Sequence, residues 1–201
     1  MTPSIRLVAE SDAAAIATIY RPYVESTPIS FETEPPDEHE MRRRIQDTLP
    51  HYPWLVYESD GGVVGYAYAT KHRVRAAYQW SVDAAVYIDG PHHRFGIGRG
   101  LYASLFAILA AQGFVNAYAG VTLPNPASVG LHEAVGFTPV GVYRTVGYKL
   151  GGWYDVGWWQ LALRERAAEP HAPELLAAVQ ARADWSALLS AGMPLIRARV
   201  A

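Results

Sequence analysis

A glycine-rich turn that joins an apolar strand to a helix most restricts what this sequence can fold into. Residues 86–88 are strand-like, residues 90–96 contain Gly, Pro and His, and residues 98–112 form helices readily. Glycine allows a backbone to approach a ligand closely, and the first N–H groups of a helix have no partner inside it. The turn therefore favours binding of an anion such as a pyrophosphate, and Arg94 and Arg99 add positive charge.

The glycines alone leave several interpretations of this turn open. A Walker A loop ends in Gly-Lys-Ser/Thr, whereas Gly98 is followed by Arg99 and Gly100. A dinucleotide-binding fingerprint requires a further glycine where this chain has Leu101, together with a parallel strand–helix–strand pattern that is not evident. The pyrophosphate of coenzyme A and a turn without any ligand are both compatible with the segment.

The order of the other segments predicts an α+β fold in which strands outnumber helices. Apolar runs and alternation indicate strands, and apolar residues at helical spacing after Ser or Asp indicate helices. Strands are expected at residues 5–9, 54–58, 63–70, 78–88, 115–123, 137–149 and 153–163, and helices at residues 11–26, 37–49, 98–112 and 126–135.

The C-terminal part of the chain differs in character from the rest. Residues 164–173 are linker-like with two prolines, and residues 174–191 have a partial helical apolar pattern. We predict one domain over residues 1–163, followed by a linker and a C-terminal helical extension over residues 164–201. The pattern leaves open whether the extension packs on its own domain, is partly disordered or contributes to an oligomer interface.

Composition excludes several classes of protein and mechanism. Lys and Arg total 17 and Asp and Glu total 19 in 201 residues, and this balance argues against a protein that mainly binds nucleic acid or an anionic membrane. The absence of cysteine removes disulfides, thiolate metal sites and a cysteine nucleophile. Acyl transfer by this chain must therefore be direct or use another nucleophile.

Two further absences complete the composition argument. His92 and His93 have no partners at metal-ligand spacing, so no metal site is expected. The chain starts without an apolar signal run, and its longest nearly apolar stretch, residues 101–111, is far shorter than the roughly 20 residues that span a bilayer. We expect a cytoplasmic protein with no membrane partner.

Two segments together resemble the GNAT superfamily of acyl-CoA-dependent N-acyltransferases. Residues 93–98 match its phosphate-turn pattern, Arg/Gln-x-x-Gly-x-Gly/Ala, except that the first residue is His93. Residues 125–137 match the later pattern that begins with Asn and ends in Gly-Phe, with His132 where Tyr is frequent.

More extended matches resemble the phosphinothricin N-acetyltransferase family over about residues 4–163. The matching segments, in the same order as in the family, are residues 31–35, 52–56, 73–80, 123–125, 132–134 and 147–160. The resemblance implies a GNAT fold, that is, a mixed, mostly antiparallel central sheet flanked by helices. It also implies acetyl-CoA as cosubstrate, and a homodimer that acetylates the α-amino group of phosphinothricin or of methionine sulfoximine or sulfone, as in herbicide resistance.

Two other functions stay open. The acceptor could be another small amine or a peptide N-terminus, although a near-neutral chain with a cationic substrate loop disfavours polycations. A non-catalytic acyl-CoA-binding sensor is the second alternative.

The resemblance also implies the cofactor site. A bulge around residues 85–88 would aim a backbone N–H at the thioester oxygen, and the turn would hold the pyrophosphate. The residues expected to bind the cofactor are Val86, Tyr87, Ile88, Arg94, Phe95, Gly96, Ile97, Gly98, Arg99 and Asn125.

Two catalytic residues are implied as well. Asp83 occupies the position of a family Glu and would deprotonate the amine of the acceptor. Because its side chain is one methylene shorter than that of Glu, it would act either directly or through a bridging water. Alternatively, Asp83 only binds the ammonium or is structural. His132 would donate a proton to the thiolate or relay one, unless it is an ordinary helix histidine. Tyr102 is an alternative donor or a core residue. The acceptor would contact Phe31, Arg73, Arg75 and Tyr78.

Overall fold

A seven-stranded sheet organises the computed structural model, which describes residues 2–59 and 61–197. The strands are β1 (Ser4–Leu7), β2 (Trp54–Ser59), β3 (Gly62–Lys71), β4 (Ser81–Ile88), β5 (Asn116–Leu123), β6 (Thr138–Lys149) and β7 (Gly152–Ala162). Their order across the sheet is β1-β2-β3-β4-β5-β7-β6, and only β4 and β5 are parallel neighbours. The prediction of an α+β fold with a mixed, mostly antiparallel sheet is confirmed.

Helices cover both faces of the sheet. They are α1 (Ala13–Glu25), α2 (Glu38–Thr48), α3 (Ile97–Gln112), α4 (Pro126–Ala134), α5 (Leu176–Gln180) and α6 (Trp185–Ser190). One buried cluster joins α1 and α2 to Trp54 and Tyr66, and the other joins α3 to Ala67, Val82 and Ala84. Successive strand residues face opposite sides, so Asp83 points to the α1–α2 side while Val82 and Ala84 point to α3.

Two elements differ from the sequence prediction. The strand expected from Tyr78 begins only at Ser81, because residues 76–78 form a 3-10 turn in which Tyr78 N–H bonds to the Arg75 carbonyl. The helical pattern at 174–191 is divided between α5 and α6, and the break lets both short helices contact α3. The extension packs on its own chain in this structure, whereas the division of the chain at residue 163 stays a prediction.

Candidate active site

A gap opens between the two central strands where they stop pairing. β4 and β5 are hydrogen-bonded neighbours only at Ser81–Asn116, Val82–Ala117 and Asp83–Tyr118, and both strands continue beyond that point. Their divergence leaves the β5-facing backbone edge of residues 84–88 without a strand partner. The gap can therefore admit an extended ligand that bonds to the backbone.

The bulge expected around residues 85–88 is absent. β4 pairs with β3 in an unbroken register from Lys71–Val82 to Gly65–Ile88. That prediction was wrong because divergence from β5, and not an inserted residue in β4, frees the backbone edge.

The glycine-rich turn lies at the wide end of this gap. Arg94 and Gly96 both have left-handed backbone, with φ of 71° and 82°, and α3 begins at Ile97. The N–H groups of the first helical residues have no intrahelical acceptor, and the helix dipole adds partial positive charge there. The turn is thus built to bind an anion, with the exposed side chains of Arg94 and Arg99 beside it.

The predicted cofactor residues contribute in different ways. The Tyr87 ring packs edge-on against Tyr20 and Tyr23 on the α1 side, so only its backbone can face a ligand in the gap. Ile97 is buried, and its contribution is likewise its N–H group. Asn125 caps α4, since its Oδ1 accepts a hydrogen bond from Ser128 N–H at 3.1 Å.

His93, the departure from the motif, is tied to the end of the strand. Its Nε2 lies 3.0 Å from the Ile88 carbonyl oxygen and 3.1 Å from the Tyr23 hydroxyl. The imidazole therefore fastens the turn to β4 and to α1.

Asp83 lies where β4 and β5 part, and it is paired with a histidine. The Nδ1 atom of His72 is 2.6 Å from Asp83 Oδ1. An ionised carboxylate only accepts hydrogen bonds, so Nδ1 carries the proton and a neutral His72 has a basic Nε2. In the part of the chain that the structure describes, no hydrogen bond engages Nε2.

Aromatic rings surround this Asp83–His72 pair. The His72 ring stacks on Tyr118 at 4.4 Å and meets Trp158 and Tyr78 edge-on. Only 11% of the His72 side chain is exposed, compared with 32% for Asp83. Burial raises the pKa of Asp83, and the hydrogen bond from His72 and the charge of Arg73 oppose that shift.

Sequence reasoning missed His72, Tyr118 and Trp158 as members of this site. His72 immediately follows the β3 residue that pairs with Val82, so the register of the β3–β4 hairpin brings it near Asp83. That register was the one available signal, and it requires knowing where β4 begins.

The predicted substrate residues divide into two groups. Arg73 lies 3.9 Å from Asp83 Oδ2 with its guanidinium 5.5 Å from the Trp158 ring centre, and Tyr78 contacts His72. Arg75 lines a cleft of about 220 Å³, together with Gln79 and Glu174, and Arg73 borders the same cleft. Phe31 packs against Gly147, where any side chain would collide with its ring.

A buried lysine holds the loop that contains Phe31. Lys149 Nζ donates a hydrogen bond to the Ser30 carbonyl at 2.6 Å, and Thr122 Oγ1 donates one to the Ile29 carbonyl at 3.3 Å. Burial lowers the pKa of Lys149, although the nearby Glu32 charge opposes this. Sequence analysis assigned Lys149 no role, and the structure makes it the anchor between this loop and β6.

His132 lies on the α3 side of the sheet, where it is buried. Its Nδ1 is 2.8 Å from the Ser128 carbonyl and its Nε2 is 3.0 Å from the Tyr102 hydroxyl. A carbonyl can only accept, so Nδ1 carries the proton of the neutral ring and Nε2 accepts from Tyr102. Burial lowers the pKa of His132, which keeps the ring neutral at pH 7.

The residues that the structure describes contain neither a candidate metal centre nor a helix that could span a membrane. Within residues 2–59 and 61–197, no three His, Asp or Glu side chains are grouped so that they could hold a metal ion. In the same residues, no helix has both the length and the apolar character required to cross a membrane.

Comparisons with known proteins agree with this geometry. Residues 5–158 match the family model described as an acetyltransferase (GNAT) domain. The chain is 44% identical over 156 residues to a phosphinothricin N-acetyltransferase of Streptomyces viridochromogenes, a match that covers 78% of this chain and 85% of the relative. It is 33% identical to an L-methionine sulfoximine/L-methionine sulfone acetyltransferase of Salmonella typhimurium, a match that covers 82% of this chain and 97% of the relative.

A solved structure has the same architecture. The phosphinothricin acetyltransferase of Sinorhizobium meliloti, crystallised in complex with acetyl-CoA, superposes with a TM-score of 0.81 at 34% identity, covering 85% of this chain and 94% of that one. The diverging strands, the turn at the start of α3 and the family match over residues 5–158 together establish that this chain belongs to the GNAT family of N-acetyltransferases.

Proposed function

We propose that this protein transfers acetyl from acetyl-CoA to the α-amino group of phosphinothricin or a related amino acid analogue, such as methionine sulfoximine or sulfone. The observation that supports this most strongly is the location of the Asp83–His72 pair at the point where β4 and β5 part. The proposal is further supported by the activities that the names of two relatives record and by the acetyl-CoA complex of a third.

Acetyl-CoA would lie in the gap with its pyrophosphate on the turn. The N–H groups of Ile97, Gly98 and Arg99 would bind the phosphate oxygens, since these groups have no acceptor inside α3. The pantetheine arm would follow the unpaired edge of β4, at residues 84–88, as a substitute strand. An N–H group of that edge would polarise the thioester carbonyl, and one such donor can contribute about 100- to 1,000-fold in rate.

The Asp83–His72 pair would take the proton from the ammonium of the acceptor. An exposed Asp has a pKa of about 3.9, which suits it poorly to this task. Burial raises the pKa of Asp83, and a neutral His72 presents a basic Nε2. The two residues would act as one proton-accepting unit, in which His72 replaces the bridging water expected between Asp83 and the amine.

The free amine would then attack the thioester carbon directly in a ternary complex. A carbon–nitrogen bond forms, the nitrogen releases its second proton to solvent, the carbon–sulfur bond breaks and coenzyme A leaves as a thiolate. The absence of cysteine from the chain excludes a cysteine acyl-enzyme intermediate and so favours direct transfer.

The leaving thiolate would receive a proton through His132 and Tyr102. Neutral His132 has no free N–H group, because Nδ1 donates to Ser128. His132 would first take up a proton from solvent at Nε2 and donate it to the Tyr102 oxygen. Tyr102 would give its O–H proton to the thiolate and receive the Nε2 proton in return, which leaves both residues in their neutral starting forms.

Substitution of either member of this chain is expected to slow transfer. His132→Asn and Tyr102→Phe should each lower kcat by about 100-fold, and the double variant should be no slower, because both act in one relay. Steady-state kinetics at saturating acetyl-CoA would measure this. Full activity of Tyr102→Phe beside a slow His132→Asn would contradict the relay and leave His132 as the direct donor.

The acceptor is an amino acid analogue whose carboxylate and phosphinate or sulfoximine oxygens need cationic and hydroxyl partners. Arg73 and Tyr78 lie beside the Asp83–His72 pair and would supply them. Arg75, two residues after Arg73, and Phe31, in the separate loop between α1 and α2, would contact the acceptor only from the edge of the site.

Release of thiol from acetyl-CoA tests the proposed function. A colorimetric thiol reagent suits this protein because the chain contributes no cysteine. Phosphinothricin, methionine sulfoximine, methionine sulfone, methionine and spermidine would be compared at one pH. Preference for the phosphinate, sulfoximine or sulfone supports the proposal, whereas turnover of spermidine alone, or of none with acetyl-CoA still bound, contradicts it.

We also propose that the protein is a homodimer that uses the β6 edge of the sheet. β6 is an edge strand, and exposed apolar side chains cluster on it and at the start of β7, among them Tyr148 at 60% and Trp153 at 65% exposure. The rings of these two residues pack on each other at 5.3 Å. An apolar edge strand of this kind invites pairing with a second copy.

A charge placed at this edge should dissociate the dimer. Tyr148→Glu is expected to raise the dimer dissociation constant by at least about 100-fold, because a carboxylate would be buried without a partner. Light scattering coupled to size exclusion measures the mass, and Val74→Glu, on an exposed apolar residue elsewhere, is the matched control. A wild-type mass of about 22 kDa, close to the 22.1 kDa of one chain, would overturn the dimer.

A further inference from the structure

The C-terminal extension (residues 174–197) follows α3 from its end back to its start. At the end of α3, Glu174 N–H donates to the Gln112 carbonyl at 2.7 Å, and the Gln112 side chain donates to the Glu174 carbonyl at 2.9 Å. Leu176 and Val179 are then buried, Leu176 within the α3-side cluster. The family match ends at residue 158, so the extension lies outside it.

The last part of the extension touches the backbone of α3. A side chain at Gly192 would collide with the Gly100 carbonyl, and a Cβ at Gly100 would lie 2.5 Å from Ile196 Cγ1. Gly192 N–H donates to the buried Ser104 Oγ at 3.0 Å. Two glycines, one from each segment, are thus needed for this approach.

The final contacts are made with the phosphate turn. Arg197 N–H donates to the Phe95 carbonyl at 2.8 Å, and the Leu195 carbonyl occupies the space that a side chain at Gly96 would need. Arg94, in the same turn, is a left-handed residue that is not glycine. Such conformations are energetically unfavourable and persist only where the surroundings hold them.

We propose that residues 192–197 brace the phosphate turn in the conformation that binds the pyrophosphate of acetyl-CoA. Gly192, Ile196 and Arg197 are positioning residues that act through Phe95, Gly96 and Gly100. Because docking of the brace and binding of the cofactor favour the same turn conformation, each stabilises the other by the same factor. This inference rests on the proposed acetyl-CoA site and on none of the proposed acceptors.

Two substitutions at Arg197 separate the backbone bond from the charge. Arg197→Pro removes the N–H, and the preceding Ile196 already has the extended backbone that a residue before proline adopts, with φ −93° and ψ 127°. Arg197→Ala removes the charge and keeps the N–H. We expect the proline variant to raise the Kd for acetyl-CoA by about 3- to 10-fold, the effect of one lost hydrogen bond, and the alanine variant to stay within about twofold.

Gly192→Ala tests the same brace from α3. Its Cβ would collide with the Gly100 carbonyl, so the end of the extension must lift, and we expect the Kd for acetyl-CoA to rise by about tenfold or more. The KM for the acceptor and kcat at saturating acetyl-CoA should stay within about twofold. Gly62→Ala is the control, because nothing lies within 4 Å of a Cβ at Gly62.

Binding calorimetry with acetyl-CoA gives Kd without turnover, so failure of the acceptor proposal leaves this test intact. Hydrogen exchange provides the reciprocal readout: acetyl-CoA should slow exchange of the Gly192 and Arg197 amides in the wild type. Equal Kd values for Arg197→Pro and Arg197→Ala, with exchange unaffected by the cofactor, would overturn the brace. If Gly192→Ala alters kcat and both KM values alike, residue 192 acts only through general stability and the brace is contradicted. If the wild type does not bind acetyl-CoA, the proposed cofactor site itself is contradicted.

Discussion

Replacement of Asp83 by Asn is expected to lower kcat/KM for acetyl transfer by about 100- to 10,000-fold, the range of general acid–base catalysis. Asn keeps the shape of the side chain and loses the carboxylate whose Oδ1 lies 2.6 Å from His72 Nδ1 and accepts its hydrogen bond. The Kd for acetyl-CoA should not change, because the phosphate turn belongs to another segment. Steady-state kinetics and binding calorimetry on the same preparation would measure both quantities.

The partner of Asp83 provides the internal comparison. His72→Phe keeps a ring against Tyr118 and removes both nitrogens, and we expect it to be nearly as slow as Asp83→Asn. If the pair is one unit, the double variant is no slower than the slower single variant. The control for Asp83→Asn is Glu25→Gln, which also replaces a carboxylate with an amide but at an exposed position of α1.

His72→Phe should shift the acid limb of the kcat/KM profile in a definite direction. Burial raises the pKa of Asp83, and the hydrogen bond from His72 lowers it. Loss of His72 should therefore raise the Asp83 pKa further and move the acid limb of kcat/KM to higher pH, since Asp83 must be ionised to accept a proton. The same acceptor must be used throughout, so that the ionisation of its amine is constant. An acid limb that moves to lower pH would contradict the pairing.

Gly98→Asp is expected to abolish cofactor binding without weakening the helix. Gly98 is the second residue of α3, where a carboxylate interacts favourably with the helix dipole. The same carboxylate would occupy the N–H groups meant for the pyrophosphate and repel it, so the Kd for acetyl-CoA should rise by more than about 100-fold.

Gly98→Ala is the matched variant for this prediction. It adds a Cβ 3.1 Å from Leu131 Cδ2 without charge, and we expect a Kd within about threefold of the wild type. Thermal unfolding should show that neither variant is much less stable than the wild type. Similar Kd values for the Asp and Ala variants would contradict a phosphate site at the start of α3.

The sequence predicted turns, helix starts and hairpins correctly where these features depend on residues close together in the chain. The phosphate turn illustrates this: glycine at 96 is required by its positive φ, and the helix that follows starts one residue earlier than expected. The hairpin of β2 and β3 and the closing pair of β6 and β7 were likewise readable from alternation and turn residues. These features are fixed by steric rules that act over a few residues.

Features that depend on segments distant in the chain were missed or given the wrong form. The backbone edge of β4 is freed by where β5 departs from it, and no residue of β4 itself records that departure. Asn125 stays a predicted cofactor residue, and the structure adds that its Oδ1 accepts a hydrogen bond at the start of α4. His72 has no predicted role in the sequence analysis, because its pairing with Asp83 depends on the β3–β4 register.

The sequence by itself therefore determined the α+β architecture, the phosphate turn, the resemblance to GNAT acetyltransferases and the candidacy of Asp83 and His132. Only the tertiary structure decided that His72 pairs with Asp83, that Tyr102 contacts His132 and that the extension returns to the phosphate turn. The physical reason is range. Turn and helix preferences act between near neighbours, whereas a hydrogen bond such as that of Arg197 to Phe95 joins residues whose meeting is set by the packing of the whole sheet and α3.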